Sequence, residues 1–146
     1  MNPGQAPGWF GWALASAAFA ALTAIFAKVG VQRIDSDMAT WIRTAVVMAA
    51  LSVFIAATGK WSDPATIPAR TWTFLVLSGL AAGASWLCYF RALQLGDASQ
   101  VAPVDKASLM LVLVFAWLFL GERPTLRDGL GMLLVAGGVL VLGLKR

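Results

Sequence analysis

The stretch Thr71–Leu95, TWTFLVLSGLAAGASWLCYFRALQL, decides the fold. Arg91 is its one fully charged residue. A bilayer's hydrocarbon core is about 30 Å thick, and a helix needs about 20 mostly apolar residues to cross it. This run is long enough, and four others match it: Trp9–Val29, Met38–Thr58, Val101–Leu120 and Leu126–Leu144. Loops and tails are nearly all that is left of the 146 residues, so no soluble domain fits beside the spans. Lipid offers the backbone no hydrogen-bonding partner, so each run must satisfy its own N–H and C=O groups as a helix. None alternates as a barrel strand would. The expected fold is all-α: a polytopic membrane protein whose single domain, residues 1–146, is a bundle of five transmembrane helices.

Composition points the same way. Hydrophobic residues make up 60% of the chain and charged residues 12%, against about a quarter charged in a soluble domain. With no His and one Cys, Cys88, there is no His triad, His zinc site, CxxC pair or internal disulfide. No metal or cofactor is expected. The net charge of +4 is dispersed rather than gathered in a block, so no nucleic-acid partner is implied. Run Trp9–Val29 is expected to be a span rather than a cleaved leader, because it is longer than a signal core and no Lys or Arg precedes it.

Punctuation between the runs fits helices. Gly30, Gly96 and Gly121 can end the first, third and fourth. Asp37 can cap the second, and Asp97 or Ser99 the fourth. Pro64 and Pro68 stop helices in the second connection. Thr125 with Asp128 forms a capping box for the fifth. Trp9, Trp12, Trp61 and Trp72 fall at one membrane interface and Trp41 at the other, as anchors do. Ala13, Ala17 and Ala21, the pair Gly79 and Gly83 (with Trp86 and Phe90 continuing that face), and Gly137 with Gly138 give small-residue faces. Such faces pack helices within one bundle or form a dimer seam.

The informative residues are charges inside the spans. An ionised group at mid-bilayer costs about 2.5–3.5 kcal/mol even on the lenient insertion scale. Lys28, Arg43, Arg91, Asp105 and Lys106 bear that cost. Helix direction alternates along the chain, so all five are expected near the same side of the membrane, with a net charge of +3. Long Lys and Arg stems can snorkel to water, which is the favoured reading of Lys28. Asp105 is too short to do so and needs a cation or a wet cavity; Arg43 or Arg91 is its expected partner. Asp105 and Lys106 are about 100° apart on a helix and are expected to face different ways. Pro103, just before them, either sits harmlessly in the first helical turn, the favoured reading, or frees the Ser99 carbonyl and bends the helix. Transporter helices are irregular in this way at binding sites. Trp86, Tyr89 and Gln94 lie near the same side and can line a ligand path or simply pack. Cys88 reads as inert packing.

The stretch YFRALQLGDASQVAPVDKASLMLVLVFAWLFLGERPTLRDGLGMLLVAGGVLVLGL (Tyr89–Leu144) resembles the second part of the EamA repeat of the drug/metabolite transporter superfamily. AKVGVQ (Ala27–Gln32) and ATWIRTAVV (Ala39–Val47) resemble its first part. The runs ALQLGDASQVAP and FLGERPT are the specific features, and the resemblance covers the chain from Trp9 on. Larger members carry two such repeats of opposite orientation in ten helices; this chain resembles the five-helix bacterial and archaeal branch. The resemblance implies a secondary transporter of small metabolites in the cytoplasmic membrane, and by matching position it puts Arg43, Asp105 and Lys106 near the central cavity. Many ten-helix members are apolar where this chain has Asp105 and Lys106. The four-helix multidrug relatives use an acid in their first helix, and Trp9–Val29 contains none.

Five spans put the two termini on opposite sides. The N-terminal side has Lys60, Arg70, Arg123 and Arg127; the other has Lys28, Arg33, Lys145 and Arg146, besides the embedded Arg43, Arg91 and Lys106. The loops alone tie, so the positive-inside rule gives little direction. A weak bias and a missing second repeat together suggest an inverted homodimer. The expected function is alternating-access transport of a small polar or anionic metabolite. Arg43 and Lys106 would attract its charge, Asp105 would hold the cluster or carry a coupling proton, and Lys28, Arg91, Trp86 and Tyr89 would complete the binding set. A non-transporting subunit or a scaffold for anionic lipid is the alternative, because a basic cluster near one leaflet also suits headgroups. No nucleophile–base pair or phosphate loop points to an enzyme.

Overall fold

The computed structural model describes residues 8–143, and among these it is helical with no strand. The end of the fifth run, Leu144, and the charges Lys145 and Arg146 lie outside the described residues. Helix α1 spans Trp9–Gly30, α2 Ser36–Ala57, α3 Ala69–Leu95, α4 Ala98–Asp105, α5 Ser108–Phe115 and α6 Leu126–Gly143. By length and apolarity four segments can cross a membrane: Trp9–Arg33, Ser36–Ala57, Ala69–Leu95 and Ala98–Leu120. The protein is an all-α, multi-pass membrane protein. Two compact units make up the chain: Phe26–Leu95, and the described residues through Ile25 together with those from Gly96 onward.

In the unit Phe26–Leu95, the chain keeps winding after α1 ends at Gly30. It tightens into a 3₁₀ turn, Val31–Arg33, whose Val31 is fully buried. Asp35 then caps α2, its Oδ1 accepting from the Asp37 and Met38 amides at 2.9 and 3.4 Å. Asp37 lies inside the first turn instead of capping it. The reason is conformational: Asp35 holds the extended backbone an N-cap needs, from which a carboxylate reaches the second and third helical amides. α2 ends in a Schellman turn around Gly59 (φ +65°), with Lys60 N–H to Ile55 C=O at 3.1 Å and Gly59 N–H to Ala56 C=O at 3.2 Å. Asp63 caps the short turn Pro64–Thr66, and Pro68 immediately precedes α3.

α2 packs along α3. The α2 face Ser36, Ala39, Thr40 is buried, as are Phe90 and Leu93 on α3. Small residues permit that approach. Their hydroxyls are absorbed locally: Thr40 Oγ1 donates to the Ser36 carbonyl and Thr44 Oγ1 to the Thr40 carbonyl, both at 2.8 Å. The glycine faces behave differently. A Cβ added at Gly79, Gly83, Gly137 or Gly138 would meet nothing within 4 Å, so close packing inside the chain does not account for these glycines.

In the other unit the fourth span is broken. α4 begins at Ala98, after Asp97 in extended conformation, so Pro103 falls inside the helix rather than in its first turn. Proline has no N–H to give the Ser99 carbonyl. Past the proline the bonding changes: Lys106 N–H goes to Pro103 C=O, Ala107 to Val104, Leu109 to Lys106 and Met110 to Ala107, at 2.9–3.1 Å. These three-residue bonds make a tight 3₁₀ link between α4 and α5. Beyond α5 the chain widens into a π-helical turn, Ala116–Leu120, closed by left-handed Gly121 (φ +69°). The capping box at α6 forms in both directions: Thr125 N–H to Asp128 Oδ2 at 2.8 Å and Asp128 N–H to Thr125 Oγ1 at 3.3 Å.

Candidate functional site

Arg43 is half-buried on α2, one turn beyond the buried Ala39 and Thr40. On α3, Trp86 and Phe90 are four residues apart and therefore share a face. Packing α2 on α3 sets the Arg43 guanidinium carbon 4.2 Å from the Trp86 ring centre and 5.7 Å from that of Phe90. Phe90 is 3% exposed and meets Tyr89 edge-on at 6.5 Å. Such cation–π contacts contribute about 0.5–2 kcal/mol, more when desolvated. An aromatic ring attracts a guanidinium without an acceptor atom that would use up its N–H donors. Within its unit no carboxylate pairs with Arg43 among the described residues.

At the ends of α1 and α3 two long side chains tie backbone to backbone. Lys28 Nζ donates 2.8 Å to the Leu93 carbonyl. Gln94 Nε2 donates to the Val31 and Ile34 carbonyls at 3.2 and 2.7 Å. Lys28 is thus turned inward onto the last turn of α3, where helix carbonyls lack partners and the dipole favours a cation; it does not snorkel. Gln94 serves the same joint, over the fully buried Val31 and Leu93. Arg91 is exposed, with no hydrogen bond or ion pair among the described residues. Cys88 is exposed on α3.

In the other unit Asp105 has found its cation in its own neighbour. Lys106 Nζ lies 3.2 Å from Asp105 Oδ2. The two residues leave the backbone in different directions, but the Lys stem is long enough to curl back at the break between α4 and α5. Each charge neutralises the other inside a segment apolar enough to span the membrane.

The structure therefore brings Lys28, Arg43, Trp86 and Tyr89 into one unit with Arg91, and puts Asp105 and Lys106 together in the other. Phe90 is the Arg43 partner that sequence reasoning treated as packing alone. The i, i+4 aromatic pair on one span with an arginine on its neighbour was the available signal.

The family model described as "EamA-like transporter family" matches residues 8–144. A Sinorhizobium protein named "Uncharacterized transporter in cobO 3'region" is 60% identical over 134 residues, which cover 92% of this chain and 95% of that protein. No solved structure gives a significant match. These matches point to a transporter rather than an enzyme.

Proposed function

Because this chain belongs to the EamA-like transporter family, we propose that it carries small polar or anionic metabolites across the cytoplasmic membrane of a bacterium or archaeon by alternating access, with Arg43 as the anion-binding group. One observation carries this reading: the Arg43 guanidinium stands inside a membrane span, stacked on Trp86 and without a carboxylate from its own unit. A cation at that depth is costly unless something compensates it. A carboxylate or phosphate on a passing solute meets the need, and the planar fork of an arginine binds either in bidentate fashion.

The remaining groups have graded roles in the proposal. Trp86 and Tyr89 line the approach, and Arg91 adds positive potential. Lys28 holds the joint on which α1 and α3 end, and through it the position of Arg43 on α2. The Asp105–Lys106 pair sits where the helix is already interrupted, so shifting the pair does not first require an intact α-helix to be broken. Lys106 attracts the anion when the pair opens, and Asp105 retains the lysine.

Two copies of the chain would supply the ten helices that larger members hold in one. The near tie of Lys and Arg across the membrane supports an inverted arrangement. Counterflow in liposomes tests the transport reading directly. Vesicles containing the purified protein and loaded with a mixture of unlabelled carboxylates and phosphate esters are expected to accumulate a labelled member of that class, and R43A vesicles are not. Equal exchange by wild type and R43A would refute the role of Arg43.

A further inference from the structure

The connection between the fourth span and α6 is built around a cavity that the transport reading does not use. The π-helical turn Ala116–Leu120 is wider than an α-turn, and the Ala116 carbonyl accepts both the Gly121 and the Glu122 amides, the latter at 3.2 Å. π-turns are uncommon, and they recur at functional sites. Left-handed Gly121 then ends the turn. Beside it is a cavity of about 270 Å³ lined by the apolar Leu113, Ala116 and Met132 and by the charged Glu122, Arg123 and Asp128.

These three charges line the cavity and form no ion pair with one another. Glu122 and Arg123 are adjacent in sequence yet form no ion pair, the Asp105–Lys106 bridge being the one formed among the described residues. Asp128 accepts both Thr125 bonds through Oδ2, which leaves Oδ1 as a free acceptor. Two carboxylates and a guanidinium beside apolar side chains complement a ligand that has an ammonium donor and an anionic group on a short linker. The cavity adjoins the end of Ala98–Leu120, a segment long and apolar enough to span the membrane, which puts it at headgroup depth, where one such ligand is abundant.

We infer that this cavity is a binding site for the headgroup of an ethanolamine phospholipid, with Glu122 and Asp128 receiving the primary ammonium and Arg123 the phosphodiester. A choline headgroup has no N–H to donate to the carboxylates, and a glycerol headgroup brings a net negative charge to a lining whose own net charge is negative. The site therefore selects ethanolamine over both. This inference does not rest on the transport reading, and its test reads lipid binding rather than flux.

The experiment is binding to the detergent-purified full chain, measured by native mass spectrometry and thermal shift, of phosphatidylethanolamine, phosphatidylcholine and phosphatidylglycerol with matched acyl chains. Soluble glycerophosphoethanolamine is a fourth probe. The wild type is expected to prefer the ethanolamine lipid by about tenfold or more over the choline lipid, as loss of charge-assisted hydrogen bonds implies. E122Q and R123Q are each expected to bring that ratio close to one; if one fails to fold, the other reads the site alone. The soluble headgroup is expected to compete only at much higher concentration, since it lacks the acyl chains. Equal binding of the three lipids to the wild type overturns the inference. So does undiminished selectivity in the variants, or binding of the soluble zwitterion with no response to the lipid.

Discussion

The guanidinium carbon of Arg43 lies 4.2 Å above the centre of the Trp86 ring, bringing a cation of one span onto the aromatic face of the next. That geometry separates what charge alone does from what shape does. R43K keeps the charge but replaces the planar fork with a compact ammonium that neither stacks as well nor binds an oxyanion with two parallel bonds. Exchange of an anionic substrate in proteoliposomes is expected to fall about tenfold in R43K, mostly as a higher KM, and further in R43A. W86A, which removes the ring and keeps Arg43, is expected to fall between wild type and R43A. Parity of R43K with wild type would show that position, not the fork, matters.

The joint at the ends of α1 and α3 is a matter of stability. Lys28 donates to the Leu93 carbonyl at 2.8 Å and Gln94 to the Val31 and Ile34 carbonyls. Hydrogen bonds from charged donors contribute about 1.5–3 kcal/mol and neutral ones about 0.5–1.5 kcal/mol. K28M is expected to lower the unfolding midpoint of the detergent-purified protein more than Q94L does. The double variant is expected to lose less than the sum, because neighbouring groups in one joint couple. Thermal unfolding of the four proteins measures this. Strict additivity would mean that the two ties act separately.

Asp105 and Lys106 make a different kind of prediction. They form an ion pair of 3.2 Å at a helix break. D105N leaves Lys106 without its partner but preserves the size of the side chain. Expression is expected to hold while transport is abolished; D105E, which restores the carboxylate, is expected to recover part of it. Flux measured in the three proteins is the check. Normal uptake by D105N would remove Asp105 from the mechanism.

Much of this architecture is legible in the sequence, because spans and caps depend on nearby residues. The apolar run Thr71–Leu95 needs only its own composition to become α3, and Thr125 needs only Asp128, three residues on, to form the capping box. Legibility fails where a partner is distant or where one backbone choice redirects the rest. Lys28 reads as a snorkelling lysine until the Leu93 carbonyl, 65 residues away in sequence, is beside it. Pro103 reads as harmless if its helix starts at Val101; starting at Ala98 puts it in the interior, where it has no N–H to give the Ser99 carbonyl. Asp105 then finds its cation one residue away, a pairing that helical geometry argues against. Of the candidate site, the residue types were legible, but the stacking of Arg43 on Trp86 required the α2–α3 packing.

The glycine pair on α3 tests whether a second copy completes the molecule. A methyl group at Gly79 or Gly83 meets no atom within 4 Å inside the chain, and alanine is the better helix former by about 0.8–1 kcal/mol. If the chain acts alone, G79A and G83A are expected to be neutral or stabilising. If this face is a seam where two helices approach closely, the same methyl groups hold them apart. The expected result is that G79A/G83A leaves the purified monomer folded but markedly reduces cross-linking between copies and transport together. Tags at the two ends then fix the orientation. In an inverted pair each tag is accessible from both sides of the membrane, whereas a single uniform orientation would refute the inverted arrangement even if the seam is real.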